Sequence, residues 1–151
     1  MPKGRVAVFI DCENVSSKHW PEIMAKAGAQ GHINVCRLFG DFTEDRLGRW
    51  LTIAREHSLQ TTLQLGGKNA SDIAITIGAM DLMHAGKTEV VTLVSSDQDL
   101  SPLAIRLRTA GMKVLGLGLA NTPPSLRKSC SEFAELGTAD AAVTTLARAV
   151  A

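Results

Sequence analysis

Short apolar runs alternate along the chain with longer stretches of helical periodicity. The runs are rich in branched residues and cover Arg5–Ile10, Ile33–Phe39, Thr61–Leu65, Val90–Val94 and Lys113–Leu117. Between them, apolar residues recur three and four positions apart, which predicts helices. Strands that alternate with helices in this way predict βαβ units and a mainly parallel sheet. We therefore expect an α/β fold, a three-layer α/β/α sandwich of Rossmann-like type.

Capping and breaking residues predict where the helices begin and end. The first helix is expected from near Ser17 to Ala27, and the second after residues 41–45. Ser71 is the predicted N-cap of the third helix, which ends before Gly86 because glycine favours the left-handed conformation found there.

The last third of the chain predicts the end of the domain. A fourth helix begins near Pro102, a short helix follows at 124–130, and a last strand is expected at 132–136. We predict one domain over residues 1–137. The Ala-rich segment 138–151 is predicted to be a C-terminal helix or tail.

Acidic residues follow the predicted strands. Asp11 follows the first strand directly, Asp97 and Asp99 follow the fourth, and Asp41 follows the second. Asp72 ends the loop GGKNASD at the start of the third helix. Because the carboxyl ends of parallel strands share one edge of a sheet, we expect these acids to gather there.

Each acid alone also has a structural explanation. Asp72 could interact with the helix dipole, Asp99 could cap the fourth helix, and Asp41 could stabilise a turn. Asp11 has no cationic neighbour in sequence. Several carboxylates at one edge would repel each other, and a bound divalent cation would remove that repulsion. Oxygen ligands of this kind suit Mg²⁺ or Mn²⁺ rather than zinc.

Composition narrows the class of protein. The chain has 151 residues, a net charge of +1, two Trp, four Phe and no Tyr, so neither global charge nor aromatic content indicates a nucleic-acid binder. Three widely spaced cysteines fit neither a zinc site nor a disulfide framework. No apolar run approaches ~18 residues and the first residues do not resemble a signal peptide, which favours a cytoplasmic protein without a membrane span.

Four segments resemble, in order, the motifs of NYN domains, the LabA-like branch of the PIN-like nuclease superfamily. They are FIDCEN, RLFGDFTEDRLGRWL, GKNASDIAITIGAMDL and VSSDQDLSPLAIRLRTAGMKVLGLG. The resemblance covers about residues 5–136 and implies a PIN-like fold with a metal-dependent ribonuclease site. The family's acidic positions correspond to Asp11, Asp72, Asp97 and Asp99.

The chain departs from the family pattern at two positions. Gly78 stands where a further acid is usual, six residues after Asp72, and Leu100 stands where an aromatic residue is common. If the acid that Gly78 replaces is a metal ligand or a catalytic base in relatives, the site of this protein lacks one of its functional groups. By contrast, Asp81 lies on the opposite face of the third helix from Asp72, so we expect it to have no part in the site.

The resemblance implies a role for each residue of the site. Mg²⁺ or Mn²⁺ would be held by Asp11 and Asp97, with Asp72 and Asp99 completing the ligands or orienting water. Asn14 would hydrogen-bond water or phosphate. Lys68 would pair with the scissile phosphate, unless it is a solvated loop residue. The serines before Asp97 would shape the turn and donate hydrogen bonds to carboxylates, and of these Ser96 is also expected to contact substrate.

Three functions remain open from the sequence. The first is a metal-dependent endoribonuclease with catalytic Asp11, Asp72, Asp97 and Asp99. The second is a catalytically weakened NYN fold that binds RNA or another protein, which Gly78 and the near-neutral charge favour. The third is a phosphatase with Asp11 as nucleophile, which the other motifs fit less well. RNA is the expected partner, and a homodimer is left open.

Overall fold

The computed structural model describes residues 4–65, 67 and 69–137. In this part of the chain, six strands alternate with five helices, and single 3-10 turns precede the first, second and fourth helices. The strands are β1 (Gly4–Asp11), β2 (Gly31–Gly40), β3 (Gln60–Leu63), β4 (Val90–Val94), β5 (Lys113–Gly118) and β6 (Glu132–Glu135). The helices are α1 (Trp20–Gly28), α2 (Gly48–His57), α3 (Ala70–Ala85), α4 (Ser101–Thr109) and α5 (Pro124–Ser129).

All six strands are parallel and lie in the order β3-β2-β1-β4-β5-β6, which confirms the predicted sheet. Strands are added outward in both directions from the central pair, β1 and β4. Such a pair is a topological switch point, and ligands of open α/β sheets bind at its carboxyl end.

Helices cover both faces of the sheet. Val8 and Ile10 of β1 pack with the helices α1 and α2 on one face. Phe9 packs with α3, α4 and α5 on the other face. Because both faces are buried, the central strands carry continuous apolar runs instead of alternating polar and apolar residues. The three-layer architecture is therefore confirmed, with the core in two apolar layers.

The start of α3 and the end of β3 differ from the predicted boundaries. Ser71 lies inside α3, and the residue before the helix is Asn69, in the left-handed conformation with φ 68°. Ser71 is therefore not the N-cap. The third strand ends at Leu63 rather than Leu65, because only four residues of this edge strand pair with β2.

Further features concern the cysteines, the membrane and the end of the chain. The three cysteines, Cys12, Cys36 and Cys130, are free thiols in the structure. Among the described helices, none combines the length and the apolar character needed to cross a membrane. The C-terminal helix or tail predicted at 138–151 lies outside the described residues.

Candidate metal centre

Four carboxylates meet near the switch point of the sheet. Ile10 of β1 pairs with Val94 of β4, so Asp11 and Ser95 follow side by side at the carboxyl end. Asp97 and Asp99 lie in the turn after β4, and Asp72 lies in the first turn of α3. We call these four residues, Asp11, Asp72, Asp97 and Asp99, the site carboxylates.

Three of the site carboxylates form a tight group. One carboxylate oxygen from each of Asp72, Asp97 and Asp99 lies within 4.8 Å of the other two. Asp72 is buried, Asp97 is half-buried and Asp99 is exposed. The group is therefore closed to solvent at Asp72 and open to solvent at Asp99. Oxygens around a shared Mg²⁺ or Ca²⁺ lie at about 2.0–2.6 Å from the ion, so a small closure would bring all three into contact with one cation.

Asp11 is linked to this group by hydrogen bonds instead of belonging to it. Its Oδ2 accepts from Asn14 Nδ2 at 2.6 Å and from Ser95 Oγ at 3.1 Å. Ser95 Oγ in turn accepts from the backbone N–H of Asp97 at 3.1 Å. Ser95 thus donates to a carboxylate as predicted, and it couples the position of Asp11 to that of the Asp97 turn.

The turn after β4 is stabilised by a hydrogen bond within the turn and by close packing against β5. Asp97 Oδ1 accepts from the backbone N–H of Asp99 at 2.9 Å, so Asp97, rather than Asp99, caps the 3-10 turn. The prediction that Asp99 caps the fourth helix is wrong, because its place is inside this turn. Gly118 permits close packing here, since a Cβ at that position would lie 2.8 Å from the carbonyl oxygen of Ser95.

Burial and neighbouring carboxylates raise the pKa of two of the site carboxylates, Asp72 and Asp11. Burial, the adjacent Asp97 carboxylate and the charges of Asp11 and Asp99 together raise the pKa of Asp72 to about 7. Burial also raises the pKa of Asp11, although the hydrogen bonds from Asn14 and Ser95 oppose that shift. Without a cation, the site therefore favours partial protonation at neutral pH.

Two buried oxygens at the site have no hydrogen-bond partner. They are Oδ1 of Asp11, which is fully buried, and Oδ2 of Asp72, which is 7% exposed. Among the described residues, no lysine or arginine forms an ion pair with any of the site carboxylates. Buried polar atoms are normally satisfied, so these oxygens fit the ligands of a cation. Because all the candidate ligands are carboxylates, the set suits Mg²⁺ or Mn²⁺.

The predicted substrate-binding residues occupy different surroundings. Asn14 is exposed and donates to Asp11, so it can orient that carboxylate. Ser96 Oγ accepts from the backbone N–H of Leu119 at 2.8 Å and from Thr122 Oγ1 at 2.9 Å, which ties the turn to the segment after β5. Lys68 lies outside the described residues.

The two positions that depart from the family pattern, Gly78 and Leu100, are both buried. Gly78 is buried, and a Cβ there would lie 2.9 Å from Arg37 Nη1 and 3.5 Å from the ring of Phe9. An acid at position 78 would thus meet Arg37. Leu100 is buried in the core beside α4, and Asp81 is exposed on α3.

A cavity beside the carboxylates contains residues that sequence reasoning missed. It has a volume of about 490 Å³ and is lined by Asn69, Asp72, Ile73, Thr76, Ile77 and Asp99. The signal in the sequence that could have revealed this surface is the composition of α3, which has apolar residues on all its faces. An apolar residue on the outward face of a surface helix indicates either a covered face or a binding surface.

Comparisons with known proteins agree with this fold. The NYN domain family model matches residues 5–137. Among solved structures, the chain is similar to a protein of unknown function from Vibrio parahaemolyticus RIMD 2210633, with a TM-score of 0.72 and 18% identity. The match covers 88% of this chain and 93% of that chain, and at this identity it concerns the fold alone. The search of curated proteins gives no match. The family match spans nearly the whole described region, and the chain therefore belongs to the NYN domain family of the PIN-like superfamily.

Proposed function

We propose that this protein is a ribonuclease that hydrolyses RNA phosphodiester bonds at a Mg²⁺ or Mn²⁺ site formed by Asp11, Asp72, Asp97 and Asp99. Membership of the NYN family suggests a nuclease-type function, NYN nucleases generally use a divalent metal, and NYN domains generally bind RNA. Asp72, Asp97 and Asp99 are the only group of three or more potential metal-ligating side chains at this spacing among the described residues.

The observation that carries the proposal is the pair of buried carboxylate oxygens that lack partners. Oδ1 of Asp11 and Oδ2 of Asp72 are both hidden from water. A buried charge without compensation costs several kcal/mol. An acidic cluster with a purely structural role would be expected to include an arginine or lysine that neutralises it. The neighbouring Glu13 has such a partner, because Arg46 lies 2.8 Å from its carboxylate.

The chain's residues would act mainly by holding carboxylates in place. The hydrogen bonds from Asn14 and Ser95 fix Oδ2 of Asp11 and leave Oδ1 available as a ligand. The N–H of Asp99 fixes Oδ1 of Asp97 in the same manner. A bound Mg²⁺ or Mn²⁺ supplies positive charge next to the phosphate and lowers the pKa of its bound water. Such preorganised ligands need little rearrangement when substrate arrives.

The test is cleavage of an unstructured RNA with Mg²⁺ or Mn²⁺, compared between the wild type, Asp97→Asn and Asp81→Asn. We expect cleavage that EDTA abolishes and that Asp97→Asn reduces by about 100-fold or more. Asp81 is the matched control because it is an exposed acid of α3 away from the site. Cleavage that survives Asp97→Asn unchanged would contradict the proposed site.

A second candidate function is an RNA-binding or protein-interaction module with a weakened site. Its support is Gly78, which replaces an acid that is usual in the family. The same experiment separates the two functions. RNA binding without cleavage, in Mg²⁺ and in Mn²⁺, would favour the module.

A further inference from the structure

Two isoleucines of α3 are exposed next to the site carboxylates. Ile73 is 60% exposed and Ile77 is 58% exposed. They are four residues apart, so their side chains lie on one face of the helix, one turn from each other. Single exposed apolar residues are common, whereas contiguous apolar surface rimmed by polar residues is found at interaction sites and ligand-binding grooves.

The same cavity contains the isoleucines and two of the site carboxylates. Asp72 and Asp99 line it together with Ile73 and Ile77. A polymer whose phosphate lies at these carboxylates can therefore place an adjoining unit in this cavity. A volume of about 490 Å³ is within the range of cavities that accept a small molecule, about 300–1,000 Å³.

The cavity also offers polar groups suited to the edge of a base. The side chain of Asn69 is exposed and makes no capping hydrogen bond to α3. Thr76 Oγ1 donates to the backbone oxygen of Asp72 at 2.8 Å, which leaves the hydroxyl oxygen as an acceptor. An apolar wall with a few polar groups at its edge complements a nucleobase, which has apolar faces and a polar rim.

Charge alone offers the chain limited means to hold RNA. The net charge is +1. Several exposed or half-buried cations form ion pairs within the protein, namely Arg46 with Glu13 and Glu44, Lys113 with Glu132, and Arg127 with Glu135. Contacts with bases would therefore add to those that the remaining cations make with phosphates.

We infer that Ile73 and Ile77 form a subsite that binds one unpaired nucleobase next to the phosphate at the site carboxylates. This inference rests on the proposed function, which places the phosphate there. A base within a duplex has its faces covered by stacking, so it cannot contact the isoleucines. Because aliphatic side chains contact base faces without reading donors and acceptors, we expect the two isoleucines themselves to add little discrimination among the four bases.

The test is the double variant Ile73→Ser/Ile77→Ser, with Ile105→Ser as the matched control. Ile105 is also exposed, at 53%, but it lies on α4 and does not line the cavity. Binding is measured with Ca²⁺ present by fluorescence anisotropy of three probes. They are an unstructured RNA of about eight nucleotides, a ribose-phosphate oligomer of equal length without bases, and an RNA duplex.

We expect the double variant to bind the single-stranded RNA about five- to tenfold more weakly than the wild type. Its affinity for the base-free oligomer and the duplex should stay within about twofold, as should all affinities of Ile105→Ser. KM for cleavage should rise by the same factor as the dissociation constant, with kcat unchanged. Unchanged thermal unfolding and unchanged Mn²⁺ affinity would show that the fold and the carboxylates are intact. If the double variant unfolds, Ile77→Ser alone replaces it.

Equal affinity of the wild type and the folded variant for single-stranded RNA would overturn the subsite. So would an equal loss of affinity for the base-free oligomer. Cleavage with unaltered KM in the variant would overturn the subsite and leave the proposed ribonuclease standing. Binding that depends on the isoleucines, without cleavage by the wild type, would support the subsite and count against the ribonuclease. Absence of RNA binding by the wild type would overturn both.

Discussion

The carboxyl end of the sheet carries two acidic groups that differ in the source of their positive charge. In the first, the site carboxylates, no described arginine or lysine forms an ion pair, and two buried oxygens have no partner. In the second, which we call the Arg46 cluster, Arg46 contacts Glu13 at 2.8 Å and Glu44 at 2.6 Å. Asp11 and Glu13 both lie at the end of β1, so the two groups adjoin each other, although Asp97 and Asp99 follow β4 whereas Glu44 and Arg46 follow β2.

The carboxylates of the Arg46 cluster find their hydrogen-bond and ion-pair partners within the chain. Glu13 Oε2 accepts from the backbone N–H of Asp41 at 2.8 Å, and Arg46 donates to the backbone oxygen of Glu13 at 3.3 Å. Each carboxylate there has a partner within the chain. The site carboxylates instead keep acceptor oxygens free at a cost in stability. This difference supports the proposal that the site carboxylates hold a cation from solution, whereas the Arg46 cluster supports the fold.

The largest effect that separates the two groups is expected from Asp72→Asn. The substitution removes a ligand, so RNA cleavage should fall by about 100-fold or more. It also removes a buried charge that its neighbours repel, so the Tm measured at about pH 8 in EDTA should rise. Loss of activity with a gain in metal-free stability is the expected signature of a functional carboxylate. A fall in both quantities would instead place Asp72 among the structural acids.

The pH dependence of stability should also distinguish the two groups. The pKa of Asp72 is about 7 in the folded protein, against 3.8 as its ordinary value. Between these values the folded protein keeps a proton that the unfolded chain has released. The contribution of Asp72 to the free energy of unfolding is therefore full below 3.8 and is lost as the pH rises to about 7.

Thermal unfolding in EDTA across this pH range should show the loss of stability. With Mn²⁺ in place of EDTA the loss should be smaller, because metal binding favours the ionised carboxylate. Mn²⁺ affinity should increase with pH over the same interval. The Asp72→Asn variant is the control, in which the slope should be smaller. An equal slope in the variant would assign the pH dependence to other groups.

Arg46→Ala is expected to have a smaller effect and the opposite pattern, in which stability falls and RNA cleavage is retained. Its ion pairs are exposed, so their loss should lower stability by about 1 kcal/mol, or Tm by about 2–4 °C. RNA cleavage by the folded variant should stay within about threefold of the wild type, because the site carboxylates keep their hydrogen bonds. Circular dichroism gives the first quantity and the cleavage assay the second. A loss of activity as large as that of Asp72→Asn would remove the distinction between the groups.

The smallest effect is expected from Gly78→Asp. A side chain at this position would meet Arg37 Nη1, so the new carboxylate should pair with Arg37 rather than join the site. Replacing glycine by aspartate in a helix interior favours the helix by only about 0.3 kcal/mol, because aspartate ranks just above glycine in helix propensity, and crowding at Arg37 offsets part of this gain. Cleavage should change by less than about threefold. An increase above about tenfold would mean that the natural glycine weakens the site.

The sequence predicts the fold and the meeting of the acids well, for a physical reason. Strand runs such as Val90–Val94 are continuous and apolar because both faces of a parallel sheet are covered. Parallel strands also bring their carboxyl ends to one edge, so Asp11 and Asp97 could be placed near each other without coordinates. Ser95 could be assigned as a donor to a carboxylate because it lies between the strand and Asp97.

What the sequence did not predict depends on backbone conformation and side-chain direction. The start of α3 at Ala70 follows a left-handed Asn69, whereas Ser71 matches the usual capping pattern better. The cap at Asp97 depends on a 3-10 turn that periodicity does not reveal. The contact of position 78 with Arg37 joins α3 to β2, a tertiary contact that no spacing rule contains.

The most direct test of the account is the binding of Mn²⁺ to the metal-free protein, measured by isothermal titration calorimetry. The wild type and Glu13→Gln should bind the ion alike, because Glu13 belongs to the Arg46 cluster. Asp97→Asn should bind it at least about tenfold more weakly, which corresponds to a loss of about 1.4 kcal/mol. Equal Mn²⁺ affinity of the wild type and Asp97→Asn, or a loss confined to Glu13→Gln, would contradict the assignment of the site carboxylates as the metal centre.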